Sequence, residues 1–446
     1  MFSKYKWVCS LAIFLCLMSN WITGGEGNEG GNMVKNLRVN PERLYERIMA
    51  LSKIGETPDG GVNRVAYSEE DMQGRQFIIS LMRKLGLSIT IDEAANIIGT
   101  LKGRDPSRPP ILFGSHIDTV PNSGKYDGAL GVLGALECIE VLVENNVVPD
   151  HTLQVVVFTD EEGGLAGSRA MVGELDAPAL KVVSQSGKTI REGIKALGGN
   201  PDNLVNAVKK KGDFKAFIEL HIEQGSILVS KNVQIGIVQG IVGINRWDVF
   251  IEGAANHAGT TPMNMRRDAL LAAAHLIIEI NRLVRGTPGN QVATVGKISA
   301  HPGAVNVIPG SVLMSLEIRD LSSKKIQWIF NWIEKKASEI AQKTETQITF
   351  KAIDVTALPA PTYPGIRKVI SEVAEELGLT SLSMPSGAGH DAQEMARITR
   401  IGMIFIPSVG GISHSPKEYS RKSDIVNGVN VLLHTILKID SGALHR

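Results

Sequence analysis

The chain has 446 residues, more than one hydrophobic core ordinarily organises, so two structural units are expected. With 43% hydrophobic and 21% charged residues it has the composition of a globular protein, which excludes wholesale disorder. Lys and Arg number 47 against 46 Asp and Glu, without the basic stripe that a nucleic-acid surface needs, so no nucleic-acid partner is expected.

At the N-terminus, Lys4 and Lys6 precede an apolar stretch over 7–18, and a Gly/Asn/Glu-rich stretch follows to residue 32. This reads as a secretory signal peptide over 1–25, and it predicts a secreted or periplasmic location, with an uncleaved N-terminal anchor as the alternative. No later segment is long and apolar enough to span a bilayer. Cys9 and Cys16 fall inside that leader, which leaves Cys138 in the mature chain. One cysteine makes no internal disulfide and no thiolate metal site, and the surrounding Val132, Leu136, Ile139 and Val143 mark Cys138 as a buried helix residue.

From 34 to 240 short strands alternate with helices. Helical spacing covers 43–52, 69–85 and 128–144; 89–92 and 97–101 read as paired strands. The apolar runs 111–113, 153–158 and 217–220 have the look of strands buried on both faces. This rhythm predicts an α/β unit, a central mixed sheet flanked by helices. From 241 to 356 the order changes to strand 247–252, helix 267–283, strands 292–297 and 312–320, helix 324–343 and strand 347–352. That βαββαβ order predicts an inserted ferredoxin-like unit. Pro359, Pro361 and Pro364 read as a linker, after which 357–441 resumes the α/β style with helix 366–377, strand 403–406 and helix 425–437.

Candidate metal ligands follow the ends of the α/β strands. His116, Asp118 and Asp127 come after 111–113, Glu161 and Glu162 after 153–158, His221 after 217–220, and His414 after 403–406. In open α/β sheets ligands bind beyond the carboxyl ends of the strands, where the sheet holds each side chain and the loop opens the site. Each of these residues alone reads as a solvated loop residue; their shared placement points to a metal centre. Imidazoles with carboxylates suit zinc, with manganese, cobalt or nickel as alternatives. One Asp between two ligand sets would bridge two divalent ions. Such a pair polarises a carbonyl and acidifies water to a pKa of about 7. The spare carboxylate of the Glu161–Glu162 pair would then move the proton.

The motifs Gly-Ser-His-Ile-Asp-Thr-Val-Pro (114–121), Tyr-Asp-Gly-Ala-Leu-Gly-Val (126–132), Phe-Thr-Asp-Glu-Glu-Gly (158–163) and Glu-Leu-His-Ile-Glu-Gln-Gly (219–225) resemble the amidase, hydantoinase and carbamoylase group of the aminoacylase and carboxypeptidase-like dinuclear metallohydrolases. Asn-His-Ala-Gly-Thr-Thr-Pro-Met (256–263), Asn-Val-Ile-Pro-Gly (306–310), Glu-Ile-Arg-Asp (317–320), Gly-Ala-Gly-His-Asp (387–391) and Gly-Ile-Ser-His-Ser-Pro (411–416) continue the resemblance to the last helix. It implies one metal on His116, Asp127 and His221 and a second on Asp127, Glu162 and His414, with His390 as the competing candidate for the last ligand. It makes Glu161 the general base and acid, and Asp118 the group that orients His116. It turns the inserted unit into a lid and homodimerisation domain, with Arg319 for a substrate carboxylate, Gln224, Asn306 and His390 in the substrate pocket, and His257 over the oxyanion.

The implied reaction is hydrolysis of a linear C–N bond in an N-carbamoyl or ureido group on a small carboxylate, first of all an N-carbamoyl-L-amino acid. Allantoate or ureidoglycolate is the second choice, and a dipeptide or N-acyl amino acid the third. An inactive ligand-binding relative is the reading of another class, and the retention of Glu161 and every ligand speaks against it. One departure concerns specificity: Glu162-Gly-Gly-Leu-Ala-Gly-Ser-Arg169 is shorter than the corresponding segment usual in that group, and it borders the pocket.

Overall fold

The computed structural model describes residues 36–445. The leader expected over 1–25 lies outside the described residues, and the expectation of a secreted or periplasmic location rested on that stretch alone. Among the described residues no helix is long and apolar enough to cross a membrane.

The first stretch runs through α1 (Pro41–Ser52), α2 (Glu69–Lys84), β1 (Ser88–Ile91), β2 (Ile97–Leu101), β3 (Ile111–His116), α3 (Ala129–Glu144), β4 (Leu153–Phe158), α4 (Glu161–Gly164), β5 (Ala216–Ile222) and β6 (Ile235–Ile241). The middle stretch contributes β7 (Gly243–Glu252), α5 (Ala269–Gly286), β8 (Val292–Thr294), β9 (Ile298–His301), β10 (Ser311–Asp320), α6 (Ser323–Thr344) and β11 (Gln347–Ala357). The last stretch holds β12 (Ala360–Pro361), α7 (Pro364–Glu376), β13 (Ser381–Ser386), β14 (Ile401–Ile406) and α8 (Lys422–Asp440).

The larger sheet is mixed and nine-stranded, in the order β1-β2-β4-β3-β5-β14-β6-β12, with β13 also paired to β6. Its centre is parallel, β4-β3-β5-β14, so those four strands end on one edge. Side chains alternate between two cores. Phe113, Val155, Val157, Ile218, Leu220, Ile404 and Ile406 face the layer of α1, α3, α7 and α8, whereas Leu112, Val156, Phe158, Phe217, Met403 and Phe405 face the other side. Burial on both faces is why these runs are continuously apolar rather than alternating. Helix α3 is buried nearly all round, Cys138 included, as its uniformly apolar sequence requires. Its close approach to the sheet needs Gly131, where a Cβ would come within 2.5 Å of the Leu220 carbonyl oxygen.

The second sheet is antiparallel, β9-β10-β7-β11, with β8 beside β10. Its core is one-sided. Trp247, Val249, Ile251, Val312, Met314, Leu316 and Ile318 pack against Leu276 and Ile280 of α5 and Ile329 and Ile333 of α6. The strict half-buried, buried alternation of β10 leaves Ser315, Glu317 and Arg319 on the opposite face.

Two expectations need correction. The strand expected over 292–297 is two strands, β8 and β9, separated at 295–297 around Gly296. The proline-marked linker is partly ordered structure: β12 pairs with β6, and Pro364 opens α7 at its first turn, where a missing N–H costs nothing.

Candidate metal centre

The ligand-bearing segments meet at the carboxyl edge of the parallel strands. His116 is the last residue of β3, His221 lies next to the end of β5, and Asp127 precedes α3. Glu161 and Glu162 open α4 directly after β4, and His414 lies in the loop after β14. Gly128, with φ +61°, starts α3 against the His116 ring, and a Cβ there would approach the ring to 2.4 Å. Three non-glycine residues at the site adopt left-handed backbone: Asp160 (φ 58°), Gln224 (φ 58°) and His414 (φ 53°). Such strain gathers at functional sites, where the surroundings over-determine it.

Asp127 is the hub. Its Oδ1 lies 3.1 Å from His221 Nε2 and 3.7 Å from His116 Nε2, and its Oδ2 lies 3.3 Å from His414 Nε2. His414 Nε2 is also 3.4 Å from Glu162 Oε1. Two compact donor sets result, His116 with Asp127 and His221, and Asp127 with Glu162 and His414. They share Asp127, with one oxygen toward each set. His390 falls in a different group, with Glu219 and His221. It is buried, with Nε2 2.9 Å from Ser386 Oγ and its ring centroid 4.6 Å from that of His221.

The electrostatics fit a cation pair. Burial, reinforced by Asp127, raises the Glu162 carboxyl to about 8, and burial together with Glu162 holds Glu161 well above the carboxylate range. Burial lifts Asp118 to about 6. For Asp127 burial acts in the same direction, but His221, His414 and His116 outweigh it and hold the carboxyl well below its ordinary value. Carboxylates crowded out of water and repelling one another are relieved by a bound dication. Glu162 Oε1 is buried without a hydrogen bond, a lone pair left for such an ion.

Several expected residues take contacts of their own. His116 Nδ1 bonds the backbone carbonyl of Asp118 at 3.0 Å, while the Asp118 carboxylate accepts from Glu161 N at 3.3 Å and Glu162 N at 3.1 Å. Asp118 therefore meets His116 through its main chain and the start of α4 through its side chain. Gln224 Nε2 donates to Asp127 Oδ2 at 2.8 Å, which puts it against the candidate ligand cluster. Asn256–His257 pairs with Val307–Ile308, so His257 and Asn306 share one exposed loop cluster. The His257 ring accepts from Gly259 N and Thr260 N. Arg319 of β10 donates through Nε to Glu317 and through Nη1 to the carbonyl oxygen of Gly387, in the loop after β13.

Glu418 was not foreseen. Buried at 4% exposure, it accepts from Tyr126 N at 2.9 Å and Asp127 N at 3.2 Å, and Ser413 Oγ donates to its second oxygen at 2.8 Å. It joins the Asp127 loop to the His414 loop. Its only signal was its position two residues past the Gly-Ile-Ser-His-Ser-Pro motif.

Residues 112–438 match the profile of Peptidase family M20/M25/M40, a span containing every candidate ligand. The chain belongs to that family. This M20/M25/M40 chain is 40% identical over 409 residues to the N-carbamoyl-L-amino acid amidohydrolase of Geobacillus stearothermophilus, covering 91% of this chain and 100% of that protein. It is 38% identical over 421 residues to the ureidoglycolate hydrolase of Arabidopsis thaliana, covering 92% and 88% respectively. Among solved structures, the hydantoinase/carbamoylase family amidase from Burkholderia multivorans matches with a TM-score of 0.85 and 33% identity, over 90% of this chain and 98% of that one. The expected secreted or periplasmic location is corrected here: it rested on residues 1–25 alone, which lie outside the described residues, and nothing in the comparisons supports it.

Proposed function

We propose that the chain is a metal-dependent amidohydrolase that cleaves the linear C–N bond of an N-carbamoyl-L-amino acid, yielding ammonia, carbon dioxide and the amino acid. The observation that carries this reading is the division of Asp127, one oxygen toward His116 and His221 and the other toward His414. His116, Asp127 and His221 would hold one divalent ion, and Asp127, Glu162 and His414 the second. Zinc suits this donor set, with manganese, cobalt or nickel as alternatives. When bound, such a pair supplies Lewis-acid polarisation of the carbonyl and lowers the pKa of water.

The chain's own residues do the rest. Glu161, buried with Oε2 3.7 Å from His116 Nε2, accepts the proton of the attacking water on its carboxylate and returns it to the departing nitrogen. Burial and the neighbouring Glu162 raise its affinity for a proton, the direction a general base needs. Asp118 holds Glu161 and Glu162 in place through their backbone N–H groups. Arg319 takes the substrate carboxylate, Asn306 and Gln224 hold polar substrate groups, His390 lines the pocket, and His257 stabilises the developing oxyanion.

The domain reading is a catalytic unit of 34–240 and 357–441 interrupted by a ferredoxin-like lid and dimerisation unit at 241–356. Its support is the separate one-sided core of the second sheet and the order β9-β10-β7-β11 with two helices on one face. The exposed Leu271 and Ile278, one stripe of α5, support a homodimer formed through this unit. The 38% identity to a ureidoglycolate hydrolase favours ureidoglycolate as the second substrate reading.

The test is a substrate panel run on metal-depleted and metal-restored enzyme, with ammonia release as the readout. N-carbamoyl-L-amino acids should react fastest, and only after metal is restored. Faster turnover of dipeptides or N-acetyl amino acids would overturn the substrate class, and full activity after depletion would overturn the metal centre.

A further inference from the structure

The outer face of the second sheet carries a charged relay of Arg246, Glu317 and Arg319, of which only Arg319 has been given a role so far. Residues two apart on a strand share a face, so Glu317 and Arg319 of β10 stand side by side. The β10–β7 register sets Arg246 directly opposite Glu317. The side chains close the relay: Arg246 Nε donates to Glu317 Oε2 at 2.6 Å, and Arg319 Nε donates to Glu317 Oε1 at 2.6 Å. Each Glu317 oxygen therefore serves one guanidinium. Burial alone would raise the Glu317 carboxyl, but Arg319 and Arg246 outweigh it and hold the group below the usual carboxylate range.

Arg319 is gripped from a second side. Its Nη1 donates at 2.7 Å to the carbonyl oxygen of Gly387, in the loop between β13 and the short helix Asp391–Met395. That loop carries His390, whose ring is tied to Ser386. Two bonds, from Nε and from one Nη1 hydrogen, fix the plane of the guanidinium. They leave Nη2, with whichever Nη1 hydrogen Gly387 does not take, to meet a planar carboxylate.

We propose that Glu317, itself held by Arg246, is a positioning residue that aims the Arg319 fork at the substrate carboxylate and so sets the preference for carboxylate-bearing substrates. This rests on the reading of Arg319 given under Proposed function. The same relay ties carboxylate capture to the loop of His390, because a guanidinium turned away from Glu317 also leaves Gly387. A second role for an acid in this place is a stand-in that occupies Arg319 until substrate displaces it. The two roles differ in sign. Removing a positioning acid weakens substrate binding, and removing a competing acid strengthens it.

The experiment compares N-carbamoyl-L-alanine with its neutral amide, N-carbamoyl-L-alaninamide, on wild-type enzyme and Glu317→Gln, reading kcat and KM separately and thermal melting alongside. Loss of one charge-assisted bond should lower kcat/KM for the carboxylate substrate about 10- to 100-fold, mostly through KM, while the amide changes by less than about twofold. Arg246→Gln, one step further from the fork, should give the same signature at smaller amplitude, and it serves as the second variant if Glu317→Gln does not fold. Glu317→Asp, which keeps the charge, should recover part of the loss.

A wild type that treats both substrates alike sinks the carboxylate reading of Arg319 and this inference with it. A wild type that discriminates, beside a Glu317→Gln variant that discriminates equally well, overturns the positioning role and leaves the reading of Arg319 standing. Equal losses on both substrates would make Glu317 merely structural, and a lower KM for the carboxylate would make it a competitor; either result overturns the proposal.

Discussion

His414 Nε2 lies 3.3 Å from Asp127 Oδ2, a contact that joins the loop after β14 to the start of α3. The other Asp127 oxygen belongs to His221 and His116, so removal of this one carboxylate empties the middle of both donor sets.

Asp127→Ala should therefore lose both metal ions and nearly all activity, while the sheet, whose strands do not depend on that side chain, still folds. Elemental analysis beside circular dichroism checks this. Full metal occupancy in the variant would remove Asp127 from the bridge. His414→Ala should lower metal content, and His390→Ala should leave the content of the second set intact, because His390 groups with Glu219 and His221 instead.

Glu161→Gln preserves shape but cannot carry a proton. Metal content and substrate affinity should persist, and kcat should fall by more than the ~10²–10⁴-fold typical of acid–base catalysis. Single-turnover kinetics on the metal-loaded variant is the measurement. A variant within about tenfold of wild type would take Glu161 out of the proton path, since that lies below the range for a general base.

The candidate ligands were legible because of the sheet that carries them. Runs such as 111–113 and 217–220 are apolar without interruption, so the first His or Asp after each one marks a strand end, and parallel strands end together. The observed strands run on to His116 and Ile222, which places two of the imidazoles on the sheet itself. Glu418 was not legible, because a glutamate in a loop reads as solvated until two backbone amides from far along the chain close over it. Arg64 is similar: fully buried, it donates to the carbonyls of Ile117, Leu51 and Ile54, and nothing local announces it. Strand β6 was missed because Gly236 and Gly240 interrupt its apolar run, and β13 because of its serines and Pro385. Both exist through pairing rather than propensity.

Glu418→Gln tests whether the tie between the Asp127 and Ser413–His414 loops matters. Two backbone amides donate to one of its oxygens and the Ser413 hydroxyl to the other, so a carboxamide loses the charge and turns its NH₂ to that hydroxyl, which must then accept and give its own hydrogen to Asp127 Oδ2, 3.1 Å away. Outer contacts of this kind typically govern metal affinity by about 10- to 100-fold, and a loss in that range is expected in a chelator competition assay. Unchanged affinity would confine Glu418 to a purely local fold role.

The last prediction concerns stability against pH at the β1–β2 turn. Asp92 is 9% exposed, and its carboxylate accepts from Ala94 N at 2.9 Å, Asn96 N at 2.8 Å and Asn96 Nδ2 at 2.8 Å. Asn96 in turn accepts from Thr159 N at 3.0 Å, so the turn supports the end of β4 just before Glu161. Burial outweighs these bonds and raises the Asp92 carboxyl to about 6. In the unfolded chain the same group titrates near its ordinary value of about 3.9. Between those two values the folded state holds the extra proton, so stability falls as pH rises. The contribution is complete below pH ~3.9 and is lost as pH passes through about 6. Asp92→Asn does not titrate and lacks this slope. Measured by denaturant unfolding, its stability relative to wild type should improve between pH 4 and pH 7.5 by up to about 3 kcal/mol, the equivalent of a shift of about two pKa units. The absolute difference at any one pH also contains the altered hydrogen bonds to Ala94 and Asn96, so the slope alone is the readout. A flat difference across that range would mean that Asp92 ionises in the fold as it does in water, and that its hydrogen bonds fully offset its burial.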